Sequence, residues 1–243
     1  MTAAGAPLAA STPLLEADCV AKRYGLRQVL TSASLRAVAG RVTLLAGRNG
    51  AGKSTLLRIT TGTLEPDSGY VRLRGATMLY GSLARLAHEG VFFLPDRDLL
   101  HPAFAIAAQM GAVADAFGVE VDVPALAGLL GIGDCLMRRP RTLSGGQRRR
   151  AEIAVALARR PSVLIADEPL RGLSPIDAET VIGALSVFAR RGAAVIVTGH
   201  ETPVLLPAAD HVTWCTAGTT REFDSSGEAL ADFAFRRDLL PSG

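Results

Sequence analysis

The sequence has 243 residues, of which 49% are hydrophobic and 20% charged, and its formal net charge is +3. This composition is typical of a folded globular protein and excludes a disordered or collagen-like chain. The length fits one large α/β domain, or a core with a small inserted subdomain. The mild positive charge is compatible with an anionic partner, such as a nucleotide or a membrane surface, and equally with an ordinary solvated surface.

Short apolar runs alternate with helical patterns along the chain, which is typical of a mostly parallel sheet covered by helices. Alternating residues at 15–35 predict antiparallel strands, with one more at 69–73. Fully apolar runs predict strands covered on both faces at 163–166 and 193–197, and two further strands are predicted at 41–46, before the glycine loop, and at 90–94, before Pro95. A helix is predicted at 53–62, and helical spacing at 103–117 and 124–130 predicts a helical insert.

No apolar run reaches the roughly 20 residues that a membrane-spanning helix needs. The most apolar stretch, residues 103–118, is interrupted by Gln109 and Asp115. Residues 1–13 lack the basic start of a signal peptide and predict a flexible tail. We therefore expect a cytoplasmic protein that reaches a membrane only through a partner. Cys19, Cys135 and Cys215 lie far apart and are predicted to be buried, reduced thiols.

Residues 47–54 fit the phosphate-loop pattern, with a predicted strand before them and a helix after them. Glycines let backbone N–H groups turn toward phosphate oxygens at a helix N-terminus. Lys53 would add charge near the β- and γ-phosphates, and the Ser54 hydroxyl would bind Mg²⁺. The motif alone indicates only a nucleoside triphosphate. The expected nucleotide-binding residues are Gly47, Arg48, Asn49, Gly50, Ala51, Gly52, Lys53, Ser54 and Thr55.

Asp167 and Glu168 follow the apolar run 163–166, where a buried strand is expected to end. Ligands of open α/β sheets bind at this edge. Phosphoryl transfer needs charge neutralisation and an oriented nucleophile, which two carboxylates can supply. In isolation the pair would also be compatible with a surface turn before Pro169.

Residues 143–147 read Leu-Ser-Gly-Gly-Gln and open a predicted helix that Ser144 would cap. Gly145 and Gly146 are expected to leave its first turn bare, so that backbone N–H groups can approach a phosphate. A plain capped helix start remains the alternative. The three arginines at 148–150 are predicted to form a solvated helix face without a role in the site.

These motifs occur in one order: a phosphate loop, Leu-Ser-Gly-Gly-Gln, an apolar run ending in Asp-Glu, and a lone His200 after another apolar run. In this order the chain, from about residue 15 to 217, resembles the ATP-binding subunit of an ATP-binding cassette (ABC) transporter. The resemblance implies an α/β P-loop NTPase fold with a mostly parallel core sheet, an antiparallel β subdomain and an inserted α-helical subdomain. It also implies ATP and Mg²⁺ as ligands, with Asp167 holding the Mg²⁺ shell and Glu168 acting as base toward water.

The same resemblance assigns further residues and partners. Glu168, His200 and Lys53 are expected to be catalytic, His200 through the γ-phosphate, and Tyr24 to stack on adenine unless it is simply packed. A second copy of the chain, or a homologous subunit, is expected to bind head to tail, and a separate transmembrane permease is expected as partner. No nucleic acid is expected. The residues expected to reach the nucleotide of the other subunit are Ser144, Gly145, Gly146 and Gln147.

Two positions depart from the family pattern. Asp96 stands where Gln is usual; it is a further candidate Mg²⁺ ligand that adds negative charge beside Asp167 and Glu168, unless the loop is shifted and Asp98 or no residue takes that place. Ser174 replaces an Asp that lies at the subunit interface, and Asp177 is too far along to substitute simply. Hydrolysis is therefore less certain than ATP binding.

The expected division of the chain is a tail at 1–13, an ABC ATPase domain at 14–217 with its helical subdomain at about 97–160, and a C-terminal extension at 218–243 packed on the core. Residues 148–153 and 94–96 resemble the branch that serves branched-chain amino-acid uptake and lipopolysaccharide extraction. Two rival functions stay open: a soluble ABC ATPase such as an assembly factor, and an ATP-gated regulator that barely hydrolyses. Cargo and direction are not readable from this chain.

Overall fold

The fold was analysed in a computed structural model that describes residues 12–240 apart from residues 82, 97 and 200. The expected tail at 1–13 therefore lies almost wholly outside the described residues. The strands are β1 (Leu15–Tyr24), β2 (Arg27–Ala37), β3 (Val42–Ala46), β4 (Ser68–Leu73), β5 (Ala76–Thr77), β6 (Val91–Leu94), β7 (Val163–Ala166), β8 (Ala194–Thr198), β9 (His211–Thr216) and β10 (Thr219–Phe223).

The helices lie between and after these strands. They are α1 (Lys53–Thr60), α2 (Leu83–His88), α3 (Ile106–Ala116), α4 (Val123–Leu129), α5 (Gly145–Ala158), α6 (Pro175–Arg190), α7 (Thr202–Leu205), α8 (Ser226–Ala231) and α9 (Phe233–Leu239). Short 3₁₀ turns occur at Gly133–Cys135, Pro140–Thr142 and Leu206–Ala208. Helices α3 and α4 separate β6 from α5, as the predicted helical insert requires.

The strands form one sheet in the order β5-β4-β1-β2-β10-β9-β3-β8-β7-β6. Strands β9, β3, β8, β7 and β6 are parallel neighbours, whereas β2, β1, β4 and β5 pair in antiparallel fashion. A single parallel pair, Thr219 with Ser32, joins the two parts through β10 and β2. The predicted mixture of a parallel core and an antiparallel part is therefore present.

Two apolar clusters cover the two faces of the parallel strands. Along β7, Val163 and Ile165 belong to the cluster that β1, β2 and α1 complete, and Leu164 and Ala166 belong to the cluster under α3, α5 and α6. Because side chains alternate across a strand, a strand covered on both faces is expected to be mainly apolar. This explains why β7 is wholly apolar and why β3 and β8 are apolar except for Thr43 and Thr198.

Residues after 217 supply a strand of the sheet as well as helices. Strand β10 pairs with β9 in antiparallel register, so the expected boundary between 217 and 218 falls in the turn of a hairpin. Of the aromatic residues that follow, Phe223 and Phe235 are buried, whereas Phe233 is exposed. Phe235 packs edge-on against Trp214 and Phe223, with ring centroids 5.8 and 5.6 Å apart. This end of the chain is therefore tied to the core.

The cysteine prediction holds for two of the three thiols. Cys135 and Cys215 are buried and free, but Cys19 is exposed. Cys19 has a φ of +50° and lies where the register of β1 shifts between Ala17 and Val20. That irregularity interrupts the alternation of β1, and the prediction that Cys19 is buried was wrong for this reason. Within the described part of the chain, no helix combines the length and apolarity that crossing a bilayer requires.

Candidate active site

Four neighbouring parallel strands end at the same edge of the sheet, and each is followed by a predicted site motif. In the order β3, β8, β7 and β6, these are the phosphate loop, the segment leading to residue 200, the pair Asp167 and Glu168, and Asp96. Ala166, the last residue of β7, pairs with Leu94 on one side and Val197 on the other. The strand ends are therefore level, and the sheet gathers residues that are more than 100 positions apart in sequence.

The phosphate loop has a backbone that only glycine tolerates at two points. Gly47 has a φ of +154° and Gly52 a φ of +112°. A Cβ on Gly47 would lie 2.4 Å from the carbonyl oxygen of Cys215, and one on Gly52 would lie 2.6 Å from Cδ2 of Leu30. Strands β9 and β2 therefore pack directly against the loop, and the two glycines are needed for this close packing as well as for the turn.

Helix α1 begins directly after the loop with its first turn open. Among the residues that the structure describes, no side chain caps α1, and its first turn contains no acidic residue. The first N–H groups of a helix have no partner within it, so those of Lys53, Ser54 and Thr55 point out of the helix end. Uncapped donors at the positive end of a helix form a site for an anion.

The side chain of Lys53 folds back over the loop. Its Nζ donates to the carbonyl oxygens of Gly47, at 2.5 Å, and Arg48, at 3.2 Å. Burial lowers the pKa of Lys53, while the nearby carboxylates of Glu168 and Asp167 act in the opposite direction. The phosphate loop and the two carboxylates at the end of β7 therefore lie within one electrostatic environment.

Thr198, the last residue of β8, orders both carboxylate residues. Its Oγ1 donates to Oδ1 of Asp167 at 2.6 Å and accepts a hydrogen bond from the main-chain N–H of Glu168 at 3.0 Å. Glu168 has a φ of +47°, in the left-handed region that favours glycine. The sequence analysis missed Thr198; the available signal was a polar β-branched residue ending an otherwise apolar strand next to the site.

The prediction of a solvated arginine face at 148–150 is wrong for Arg149. Arg149 is buried, and its guanidinium contacts the loop after β7 and Glu152, one turn along α5. Consecutive helical residues point about 100° apart, so three arginines in a row cannot all face solvent on a helix that is packed on one side. The i, i+3 spacing of Arg149 and Glu152 indicates that the two charges can pair, but not that the pair is buried.

Asp96 and its alternative, Asp98, both form ion pairs. The carboxylate of Asp96 pairs with the guanidinium of Arg171, which follows the strand end that carries Asp167. Asp98 is 74% exposed and lies 3.6 Å from Arg148. The negative charge that replaces the usual Gln is thus accompanied by a positive charge on the adjacent loop.

The Leu-Ser-Gly-Gly-Gln segment forms a capping box at the start of α5. Ser144 Oγ accepts from the N–H of Gln147 at 3.2 Å, and Oε1 of Gln147 accepts from the N–H of Ser144 at 3.1 Å. The predicted Ser144 cap is confirmed. Gly145 faces open space, whereas a Cβ on Gly146 would lie 3.0 Å from Oδ2 of Asp177 in α6. That the first turn of α5 approaches a phosphate stays a prediction.

Ser174 caps α6 in the same way, accepting from the N–H of Asp177 at 3.2 Å. The carboxylate of Asp177 lies 3.1 Å from Nη1 of Arg150. Asp177 therefore joins α6 to α5 within one chain. The residue that departs from the family pattern has a structural role of its own, as a helix cap.

Tyr24 and Arg48, two further predicted residues, occupy different settings. Tyr24 ends β1, is 43% exposed and pairs with Arg27 of β2. His200 lies outside the described residues. Arg48 of the phosphate loop makes an ion pair of 2.6 Å with Asp238 of α9, whose other carboxylate oxygen accepts from the indole N–H of Trp214 at 3.0 Å. This link between the loop and the C-terminal helix was not predicted.

Comparisons with known proteins find relatives in sequence and in fold. A family model described as ABC transporter matches residues 30–171. A probable ABC transporter ATP-binding protein of Azorhizobium caulinodans is 31% identical over 215 residues, which cover 84% of this chain and 75% of that protein. The Nod factor export ATP-binding protein I of Rhizobium etli is 33% identical over 186 residues, which cover 74% of this chain but only 58% of that protein.

A solved structure, the ADP conformation of an ATP-binding cassette of an ABC transporter, superimposes with a TM-score of 0.81. It is 22% identical in sequence, and the match covers 96% of this chain and 100% of that chain. At this identity the likeness establishes the fold. The predicted fold class, an α/β phosphate-loop protein with a mixed sheet, is confirmed.

Proposed function

Because the chain belongs to the ABC transporter family of ATP-binding, ATP-hydrolysing subunits, we propose that it binds Mg-ATP at the phosphate loop and drives a separate membrane-spanning partner. The observation that carries the proposal is the convergence of four strand ends on one edge of the sheet. This arrangement supplies an anion site, a lysine and two carboxylates within one electrostatic environment. Phosphoryl transfer requires such positioning more than covalent chemistry from the protein.

The phosphate groups of ATP fit the start of α1. The residues proposed to hold the nucleotide are Gly47, Arg48, Asn49, Gly50, Ala51, Gly52, Lys53, Ser54 and Thr55. The open first turn of α1 and the glycine conformations support this assignment. Tyr24, half-exposed at the end of β1, is proposed to stack on adenine.

Mg²⁺ fits the donor set at the same edge. Ser54, exposed at the start of α1, and Asp167, at the end of β7, offer a hydroxyl and a carboxylate oxygen. Mg²⁺ takes one or two protein ligands and completes its shell with water and nucleotide oxygens, so a dense cluster of acidic residues is not required. When bound, the ion neutralises charge on the phosphates. The ion pair of Asp96 with Arg171 favours Asp167 as the protein carboxylate that holds the ion.

Glu168 is proposed as the base that orients the attacking water, with Lys53 and His200 supplying charge at the γ-phosphate. A positioned general base contributes about 10²–10⁴ in rate. Glu168→Gln should therefore retain ATP binding and lose hydrolysis by about that factor, measured by equilibrium binding and by release of inorganic phosphate. A variant that keeps half of the wild-type turnover would remove Glu168 from this role.

A second copy of the chain, or a homologous subunit, is proposed to complete the site. The N-terminal end of α5 lies at the surface, Gly145 there faces open space, and this segment contains no lysine. The residues proposed to reach the other nucleotide are Ser144, Gly145, Gly146 and Gln147. Such a helix end can contact the phosphates of nucleotide held by another chain. Head-to-tail pairing of two chains would then form two composite sites.

The transmembrane partner is proposed to meet the segment after β6, where Leu99 and Phe104 are exposed apolar residues. The subunit would then lie on the cytoplasmic face of a membrane. The test is a pull-down of the tagged chain from native membranes solubilised in mild detergent, with partners identified by mass spectrometry. Recovery of a stoichiometric multi-span protein is the expected result, and recovery of soluble proteins alone would point to an assembly factor instead.

A finer assignment, to the branch that serves branched-chain amino-acid uptake or lipopolysaccharide extraction, is proposed from residues 148–153 and 94–96. The similar protein of Rhizobium etli is named for Nod factor export, which is a different cargo. The sequence of the membrane partner recovered in the pull-down would decide between these cargoes.

A further inference from the structure

Arg149 makes more polar contacts with the site than any motif residue of α5, although it belongs to none of the motifs. It is 8% exposed. Its N–H groups donate to the main-chain oxygens of Asp167 (3.0 Å), Glu168 (3.1 Å), Pro95 (3.2 Å) and Pro169 (3.3 Å) and to the carboxylate of Glu152 (2.9 Å). One guanidinium therefore joins α5 to the loops that follow β6 and β7.

The main chain that Arg149 holds is the strained part of the site. A non-glycine residue in the left-handed region is disfavoured, and such residues persist where their surroundings fix them. Glu168 is fixed on both sides, because Arg149 binds its carbonyl oxygen and Thr198 binds its N–H. This backbone conformation sets the direction in which the Cα–Cβ bond of Glu168 leaves the main chain.

The charge of Arg149 is balanced within the same cluster. Glu152 is 3% exposed, and its second carboxylate oxygen accepts from the N–H of Leu99 at 3.4 Å. Burial raises the pKa of Glu152, and the hydrogen bond from Arg149 opposes that shift. The pair therefore reaches from the loop that carries Glu168 to Pro95 and Leu99, which follow β6.

We propose that Arg149 is a positioning residue for ATP hydrolysis, which holds Glu168 in its left-handed conformation and couples it to Pro95 directly and to Leu99 through Glu152. The proposal rests on the proposed role of Glu168 as base. A displacement of Pro95 and Leu99 by a docked partner would move groups that share this guanidinium, and with them the main chain of Glu168. Only arginine offers five donors in a planar fork, so lysine cannot replace it here.

Arg149→Lys is the informative substitution, because lysine keeps the positive charge that Glu152 requires. Arg159→Lys is its matched control. Arg159 is the C-cap residue of the same helix and is 5% exposed, but it donates to the carbonyl oxygen of Ala87 and stacks over Phe117 at 3.8 Å, away from the site. Each change removes a buried guanidinium, but only R149K removes one that contacts Glu168.

The experiment compares single-turnover ATP hydrolysis, equilibrium ATP binding and melting temperature for the full chain. Misplacing a catalytic group by about 1 Å can cost on the order of 10²-fold in rate. R149K should therefore lower the hydrolysis rate by roughly 10- to 100-fold while the Kd for ATP changes by less than about threefold. R159K should lower the melting temperature but leave the hydrolysis rate within about twofold of the wild-type rate. Equal rates for R149K and R159K would overturn the proposal.

The double variant R149K/E168Q separates this proposal from the role of Glu168 itself. If Arg149 acts through Glu168, adding R149K to E168Q should cause no further loss of rate, because coupled residues are not additive. Losses that multiply would overturn the coupling while leaving Glu168 as base. If E168Q alone keeps its turnover, the proposed base and the positioning role fail together.

A readout independent of activity guards against a variant that folds poorly. Amide hydrogen exchange at Asp167 and Glu168 should rise in R149K and stay unchanged in R159K, because the loop that carries these N–H groups loses the hydrogen bonds to its carbonyl oxygens only in R149K. Arg149→Gln, which keeps a planar donor but loses the charge, serves as a second variant and should show the same rise. Unchanged exchange in both variants would show that other contacts hold this loop.

Discussion

Helices α1 and α5 both start at a glycine-containing turn, yet the chain treats their first N–H groups in opposite ways. No described side chain caps α1, whose start follows Gly52 and carries Lys53. Helix α5 is closed by a reciprocal capping box between Ser144 and Gln147. One helix end leaves its donors open, and the other satisfies part of them within the chain.

This difference indicates how each helix end depends on a ligand to satisfy its first N–H groups. The open end of α1 gains hydrogen bonds only when an anion arrives, which favours tight binding of phosphate. The capped end of α5 is already stable, so it can keep its shape on the surface until nucleotide is presented to it. That division fits a composite site in which one chain holds ATP and another closes over it.

The largest expected effect comes from breaking the open end with Gly52→Ala. A Cβ there would lie 2.6 Å from Cδ2 of Leu30, at a φ of +112°. Strain of about 1–3 kcal/mol at the loop should weaken ATP binding by roughly 10- to 100-fold, measured by calorimetric titration. Gly50→Ala is the control, since Gly50 has a φ of +79° with no neighbour within 4 Å, and it should lose less. Equal losses would show that contact with β2 does not shape the loop.

A smaller effect should separate the two glycines of α5. Gly146→Ala crowds Asp177 and disturbs its ion pair with Arg150, so overpacking of about 1–3 kcal/mol should lower the melting temperature by several degrees. Gly145→Ala meets open space and should leave the melting temperature unchanged, while steady-state ATPase falls if this turn closes on nucleotide of another chain. Full ATPase in Gly145→Ala would move that contact away from the first turn.

The parts of the molecule that follow local rules were predictable from the sequence. The apolar strands β3, β7 and β8, the glycines of the phosphate loop and the Ser144 cap can each be recognised from a pattern of residues close together in sequence. The contacts that were missed join distant parts of the chain. Arg149 reaches the loop after β7, and Asp238 reaches the phosphate loop, because strand order brings these segments together.

The departures from the family pattern also needed the structure for their interpretation. Asp96 and Arg171 lie 75 positions apart and form an ion pair across two loops. This ion pair could not be predicted from the sequence, because the pairing of β6 with β7 is what places the two residues side by side. The prediction that Cys19 is buried also failed, because a local shift in the register of β1 changes which face of the sheet a side chain occupies.

The smallest effect should come from Ser144, where one side chain both caps α5 and faces outward. Ser144→Ala removes the acceptor for the N–H of Gln147, at a cost of about 1 kcal/mol, which lowers the melting temperature by roughly 2–4 °C. Ser144→Asp restores the cap, since Asp is as good as Ser at this position, but it places a negative charge where phosphate is expected. This variant should therefore regain the melting temperature and still lose steady-state ATPase. If it instead recovers activity together with stability, Ser144 contributes to the site only as a cap, and the two helix ends differ in stability alone.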